Sequence, residues 1–384
     1  MRVAMIEAGG WGGIAHYAWN LCGALSETEA EVILMTNAQY ELDHLPRKFS
    51  VEPCFDSNAG YLQTVRTLVR RLSSLRPNIV HVQSLISSRF DAFLWALMRR
   101  KIPYVYTAHN VRCHEENRWA SWTLWRCLRM ADAVIAHTPE AVEEVRQRLG
   151  PDGRVKLIHH GDYAFFGSGA GKNRLACRRL LSLPIDAQLL LTFGAIRPYK
   201  GICGVIAALP RILKRHPDAH LVIAGPLLAG TEREYREAIA RACVRDAVIF
   251  RPGYVPHDQV ATYFASADVA VFNYREVTDS GALRIACSQG TPVVATAVGG
   301  FREFLENGVT GRLVPPHDLD ALVQAVCDLL ADPAAAARMA TAAIGLAASR
   351  WIWADSAKAT LEVYGQVVGW TPTGSHLLAS SRPG

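Results

Sequence analysis

Short apolar runs recur along the chain, and stretches with apolar positions at helical spacing separate most of them. The first series falls at residues 3–6, 31–35, 79–82, 104–108, 133–136 and 155–158. A second series follows at 189–193, 219–224, 247–250, 269–272, 292–295 and 311–314. Strand-length runs without strict polar alternation, separated by helical patterns, predict βαβ units around parallel sheets buried on both faces. Two such series in 384 residues predict two Rossmann-like α/β domains, each able to bury its own core. Residues 161–173, rich in Gly, Ser and small polar residues, read as the linker between them. Residues 348–368 carry the pattern of one or two terminal helices, and 371–384, with Pro, Gly, Ser and no periodicity, read as a disordered tail.

Composition narrows the class. Half of the residues are hydrophobic and a fifth are charged, as in folded α/β proteins. No apolar window approaches the roughly 20 residues of a membrane span, and the N-terminal run that stops at Glu7 reads as a first strand rather than a signal peptide. Nine scattered cysteines without a CxxC pair support neither a zinc cluster nor a disulfide framework, so the expected compartment is the cytoplasm. A net charge of +6 is too small to indicate nucleic acid as a partner.

That charge is unevenly spread. Residues 61–130 hold twelve Arg or Lys (66, 70, 71, 76, 89, 99, 100, 101, 112, 118, 126, 129) against three acids (91, 115, 116). In one segment Leu62, Val65, Val69 and Leu72 are expected on a single helical face, and in another Trp119, Trp122 and Trp125 alternate with Arg118, Arg126 and Arg129. Two readings stay open: a cationic amphipathic surface for anionic lipid, or core-packed helices with solvated arginines. The first would place the protein peripherally on the inner face of a membrane.

Candidate chemistry collects at strand ends. Arg197-Pro198-Tyr199-Lys200-Gly201 follows the run at 189–193 directly. A guanidinium and an ammonium there would suit a polyphosphate and stabilise charge growing on a diphosphate leaving group. Thr278-Asp279-Ser280-Gly281-Ala282 precedes a predicted helix, so its groups could meet phosphate or sugar oxygens or simply cap the helix. Gly9-Gly10-Trp11-Gly12-Gly13 separates the first strand from an amphipathic helix predicted over 15–26; it is either an anion-binding turn with free amides or a packing turn. His109 closes the run at 104–108 where it could orient a sugar or move a proton. His81 and the pair His159-His160 lack the spacing of a metal site, though His160 and Gly161 suit a ligand crevice.

These motifs resemble the retaining glycosyltransferases of family 4. The resemblance covers nearly all of residues 1–368 and rests on the order of Gly12-Gly13, Pro77 to Val82, Thr107-Ala108-His109-Asn110, Ala131 to Ile135, Arg197 with Lys200-Gly201, Gly253-Tyr254-Val255-Pro256, Ala267-Asp268-Val269, and Gly290-Thr291-Pro292-Val293-Val294-Ala295 with Gly299-Gly300 and Glu303. It implies the GT-B fold, two Rossmann-like domains facing a cleft: an acceptor domain at 1–165, a nucleotide-sugar donor domain at 166–350, and a helix at 351–370 crossing back to the first domain. It also implies His109, Arg197 and Lys200 as catalytic residues. Donor contacts would come from Gly12, Gly13, Tyr254, Val255, Glu276, Thr278, Asp279, Ser280, Gly281 and Ala282.

The family usually has two glutamates eight positions apart before the Gly-Thr-Pro segment. Here those positions are Val277 and Ile285, as in members that resemble this chain in carrying a Ser-Gly pair; Glu276 or Asp279 is left to supply an acid. No DxD motif is evident, which fits a metal-independent mechanism with a nucleoside diphosphate sugar as substrate and no cofactor. The expected acceptor is a glycan or lipid-linked saccharide. A nucleotide-sugar-binding protein with impaired catalysis, and a sugar-nucleotide epimerase, are the competing readings.

Overall fold

The computed structural model describes residues 1–56, 58–87, 89–109, 118–150, 153–167 and 173–370. Asn110, part of the basic region (Arg112, Cys113, Glu115, Glu116, Asn117), linker residues 168–172 and the tail at 371–384 lie outside the described residues. The chain divides into two compact units, residues 1–160 with 353–384, and residues 161–352.

The first unit runs β1 (Arg2–Ile6), α1 (Gly12–Ser26), β2 (Glu31–Asn37), β3 (Ser50–Phe55), α2 (Tyr61–Leu75), β4 (Ile79–Val82), α3 (Asp91–Met98), β5 (Tyr104–Thr107), α4 (Arg118–Met130), β6 (Ala133–Ala136), α5 (Pro139–Leu149) and β7 (Val155–Leu157). The second runs α6 (Arg174–Leu180), β8 (Gln188–Phe193), α7 (Ile202–Leu213), β9 (Ala219–Ala224), α8 (Glu232–Arg241), β10 (Val248–Arg251), α9 (His257–Ser266), β11 (Val269–Phe272), α10 (Gly281–Gln289), β12 (Val293–Thr296), α11 (Phe301–Phe304), β13 (Arg312–Val314), α12 (Leu319–Ala331) and α13 (Pro333–Arg350). The last helix, α14 (Trp353–Val368), returns to the first unit and packs along α1.

Each unit is one parallel sheet, ordered β3-β2-β1-β4-β5-β6-β7 in the first and β10-β9-β8-β11-β12-β13 in the second. Strand order reverses between β1 and β4, and between β8 and β11; in open parallel sheets the carboxyl ends at such reversals are where ligands bind. Both faces of the second sheet are covered. Leu189, Leu191 and Phe193 enter one core with α9 and α10, whereas Leu190 enters the other with α7 and α12. Successive side chains of β8 thus point into opposite cores, which is why the run shows no polar alternation.

One strand was not expected from the sequence, and one expected helix face needs correction. β3 carries Glu52 and Pro53 and was not visible as an apolar run; as an edge strand it tolerates a proline that a central strand would not. In α2 the core face is Thr64, Leu68 and Leu72, with Val65 and Val69 at its margin, while Leu62 is 72% exposed. At 100° per residue Leu62 lies about a third of a turn from that face.

Candidate functional site

The carboxyl end of β8 is shaped by glycines in left-handed backbone conformations. Gly194 has φ +94° and Gly225, after β9, has φ +143°; a Cβ on Gly225 would lie 2.2 Å from the Gly194 carbonyl oxygen. Gly201 has φ +63°, and a Cβ there would come within 1.9 Å of the Asn273 carbonyl oxygen. Asn273 in turn donates its side-chain amide to the Gly201 carbonyl at 3.0 Å. The short 3-10 turn Pro198–Lys200 is therefore fastened to the end of β11.

Lys200 consequently folds inward. It is 6% exposed, its Nζ is 3.5 Å from the Phe193 carbonyl oxygen and 5.3 Å from the centre of the Tyr274 ring, and no carboxylate among the described residues pairs with it. Burial, aided by the charge of Arg197 and opposed by Tyr199, holds its pKa below the ordinary lysine value. Arg197, half-buried, stands three residues before it at the mouth of the turn. A Cβ on Gly194 would meet both Lys200 Nζ, at 3.0 Å, and Ala282 Cβ, at 3.7 Å. The first turn of α10 and the buried ammonium thus share one side of Gly194.

The loop after β11 supplies the remaining predicted donor residues. Ser280 caps α10, its Oγ accepting from the Leu283 amide at 3.4 Å. The Asp279 carboxylate accepts from Arg284 Nε at 3.0 Å, from Arg284 Nη2 at 3.2 Å and from the Ser280 amide at 2.6 Å. Asp279 is thereby occupied as the counter-ion of a fully buried arginine, while Glu276 is exposed and Thr278 and Ala282 are half-buried. Gly281 lies against Tyr163, whose hydroxyl would be 3.0 Å from a Cβ added there. Val277 packs at the edge of the core and Ile285 is inside it. Beyond β10, Val255 is buried and Tyr254 is 42% exposed.

In the first unit the glycine turn is a packing device at its start. Glu7, buried, accepts from the amides of Gly9 (2.9 Å) and Gly10 (2.8 Å) and from the Thr36 hydroxyl (3.0 Å). Burial raises its pKa, with those hydrogen bonds opposing. The Gly12 amide, at the first position of α1, donates to Glu41 at 3.3 Å. The expectation of free amides therefore fails at Gly9, Gly10 and Gly12, because internal carboxylates already satisfy them. Positions Gly12 and Gly13 are open, with nothing within 4 Å of an added Cβ.

His109 sits in a histidine cluster. Its Nε2 donates to Gln83 Oε1 at 2.9 Å and its Nδ1 is 3.3 Å from His137 Nε2. His137 Nδ1 must donate to the Ile158 carbonyl at 2.8 Å, and the proton of neutral His109 is on Nε2, so His109 Nδ1 and His137 Nε2 face each other unprotonated. Tyr17 packs edge-on against His109 and His160, 4.6 and 4.7 Å between ring centres. His81, fully buried, bonds Tyr364 of α14 at 2.6 Å and Thr107 at 2.7 Å. Desolvation lowers the His81 pKa to about 3 and that of His109 well below the ordinary value, the neighbouring histidines adding to both. Among the described residues no group of three or more His, Cys, Asp or Glu is placed to hold a metal ion.

Residues missed from sequence are Tyr17, Gln83, His137, Tyr163 and Arg284. Gln83 and His137 carried a signal, each being the residue directly after a strand; the others depend on contacts between distant elements.

Two parallel sheets with reversal points, a buried lysine at one and a glycine turn at the other, define a nucleotide-handling enzyme of GT-B architecture. The family described as Glycosyltransferase Family 4 matches residues 11–161, and that described as Glycosyl transferases group 1 matches residues 178–345. A glycogen synthase of Mycobacterium tuberculosis is 31% identical over 302 residues, 76% of this chain and 69% of that protein. A D-inositol 3-phosphate glycosyltransferase of Streptomyces avermitilis is 35% identical over 244 residues, 61% of this chain and 52% of that protein. Two solved structures share the fold: sucrose-phosphate synthase from Thermosynechococcus elongatus (TM-score 0.77, 21% identity, 96% of this chain and 99% of that one), and Anabaena HepE in complex with UDP-glucose (TM-score 0.79, 20% identity, 95% and 100%). The chain belongs to the group 1 and family 4 glycosyltransferases, and is a GT-B enzyme that uses a nucleotide-sugar donor.

Proposed function

We propose that the enzyme transfers a sugar with retention, and without a metal ion, from a nucleoside diphosphate sugar to a saccharide or lipid-linked saccharide acceptor. The observation that carries this reading is Lys200, a buried ammonium at the β8/β11 reversal with no acid among the described residues to neutralise it. A buried cation without a counter-charge is costly, and a diphosphate would supply that charge. In this reading Lys200 and Arg197 meet the growing charge of the diphosphate, with Gly12 and Gly13 near it. The amides of Gly281 and Ala282 point to phosphate or sugar oxygens, and Tyr254 and Val255 flank the base. Glu276 and Thr278 would reach sugar hydroxyls, His109 would orient the sugar, and Asp279 would act through the loop it holds. The acceptor oxygen bonds to the anomeric carbon as the bond to the diphosphate breaks, and the acceptor proton passes to that diphosphate.

Turnover of UDP-, GDP- and ADP-sugars, followed with and without acceptor saccharides and with EDTA, tests the reading. The expected result is transfer with unchanged anomeric configuration, insensitive to EDTA. Lys200→Ala should fold normally and lose roughly 10²-fold or more of turnover. Nucleotide binding with no transfer would instead favour the binding-only alternative, for which the apolar Val277 and Ile285 speak; product without acceptor would favour an epimerase.

We also propose peripheral binding to an anionic bilayer through α3 and α4. Phe93 and Leu97 of α3 and Trp119 and Trp122 of α4 are 64%, 67%, 59% and 43% exposed. Phe93 and Trp119 each lie within 6.4 Å of Trp122, ring centre to ring centre, so the rings form one patch. Arg118, Arg126 and Arg129 line the open groove beside it. No helix among the described residues is long and apolar enough to cross a membrane.

A further inference from the structure

Arg284 is the largest charged side chain the second unit buries completely. Its guanidinium lies 4.0 Å from the centre of the Phe304 ring and 4.6 Å from that of Trp351, and pairs in bidentate fashion with Asp279. Two aromatic faces and one fork-shaped ion pair fix both its position and its plane. An arginine so enclosed by its own side chains orders what it binds.

What it binds is the Asp279 carboxylate, near the end of the loop after β11. The loop's start is tied by the Arg275 amide, which donates to the Tyr199 carbonyl at 2.7 Å beside Lys200. Its middle rests on glycine backbone: Cβ atoms on Gly299 and Gly300 would come within 1.8 Å of the Val277 carbonyl oxygen and 2.6 Å of the Thr278 carbonyl oxygen. Asp279 follows, with its side chain paired to Arg284. Through Asp279, which also accepts from the Ser280 amide, Arg284 sets the direction of the peptides from Ser280 to Ala282. Trp351 is itself anchored, its carbonyl accepting from the Asp162 amide at 2.8 Å, and Tyr163 presses on Gly281 from the same segment.

We infer that Arg284 is a positioning residue for sugar transfer: through Asp279 it aims the Ser280–Ala282 backbone at the sugar and inner phosphate, replacing by a fixed loop the carboxylates absent at Val277 and Ile285. The inference rests on the donor reading above. It separates nucleotide binding, left to Lys200 and Arg197, from sugar alignment, left to the loop.

Arg284→Met, Arg284→Lys and Asp279→Asn, in the full chain, test it. In the free protein, hydrogen exchange of peptides covering 275–282 should rise by roughly tenfold in Arg284→Met and Asp279→Asn, with α7 and α12 unchanged. With whichever of UDP, GDP or ADP the wild type binds, affinity for the diphosphate should stay within about threefold. Turnover of the corresponding glucose nucleotide should fall roughly 10- to 100-fold through kcat, and Arg284→Lys should recover part of it. If Arg284→Met fails to fold, the other two variants carry the test. Unchanged exchange and turnover in folded variants that still bind nucleotide would overturn this inference alone. Failure of the wild type to bind any of the three nucleotides would overturn the donor reading and this inference with it.

Discussion

Lys200 and His109 show one physical effect with opposite uses. Both are basic groups whose pKa is lowered by burial, but Lys200 lacks any acid among the described residues, whereas His109 has both ring nitrogens in contact with polar groups of its own unit. The lysine keeps an unmet demand for negative charge; the histidine is held as a neutral ring. Neutral burial has a pH consequence, clearest at His81, whose folded pKa of about 3 lies far below its unfolded value near 6.5. Above pH 6.5 both states are neutral. Below it the unfolded chain takes up a proton that the folded protein refuses, so stability falls, by up to about 1.4 kcal/mol per pH unit for this histidine, until pH 3. Asp91, raised to about 6, and Glu7, also raised, act in the opposite sense, because the folded state protonates them first. Comparison with His81→Gln isolates the histidine. From pH 7 to pH 5, urea unfolding should show wild type losing about 2 kcal/mol more than this variant; equal losses would mean that His81 is protonated in the fold.

At the scale of elements, α2 and α4 divide the basic region between two fates. α2 buries Thr64, Leu68 and Leu72 and leaves its arginines to solvent, one of them, Arg71, pairing with Glu52. α4 keeps a core face of Leu124, Cys127 and Leu128 but exposes Trp119 and Trp122, which costs apolar surface in water and is explained if that surface meets lipid. Trp119→Ala/Trp122→Ala should therefore abolish cosedimentation with vesicles of phosphatidylglycerol at low salt, while Arg70→Ala/Arg71→Ala should weaken it only modestly and salt should weaken it throughout. Binding that survives loss of both tryptophans would move the contact elsewhere. The inner strands of both sheets could be read from sequence because each is a buried apolar run; β3, an edge strand with Glu52 and Pro53, could not. The turn at Lys200 was readable for the same reason, as polar residues directly after a buried run. Arg284 was not, since on a helix it is an ordinary residue until Asp279 and Trp351 are brought beside it by the fold.

Over the whole molecule, the chain crosses between its units twice, at residues 160–161 and 352–353, so that α14 belongs to the unit built from the other end of the sequence. Tyr364 is fully buried and holds His81 at 2.6 Å, Ser356 donates to the His159 carbonyl at 2.8 Å, and Trp353 packs 5.3 Å from Tyr17 and 5.2 Å from His160, ring centre to ring centre. Removing α14 would uncover Tyr17 and leave His81 without its Tyr364 partner. At roughly 1.5 to 3 kcal/mol for each large side chain uncovered, the loss of Trp353, Val363 and Tyr364 alone amounts to about 6 kcal/mol, comparable with the entire stability of a domain. The second unit contains no residue of α14 and keeps both of its cores. A chain ending at Ile352 should accordingly be digested by trypsin through residues 1–160 within minutes under conditions in which the full chain resists. A fragment covering 161–352 should persist, with wild-type exchange at β8 and β11. Persistence of 1–160 in the shortened chain would show that α14 covers a unit already stable by itself, and that its return serves some end other than folding.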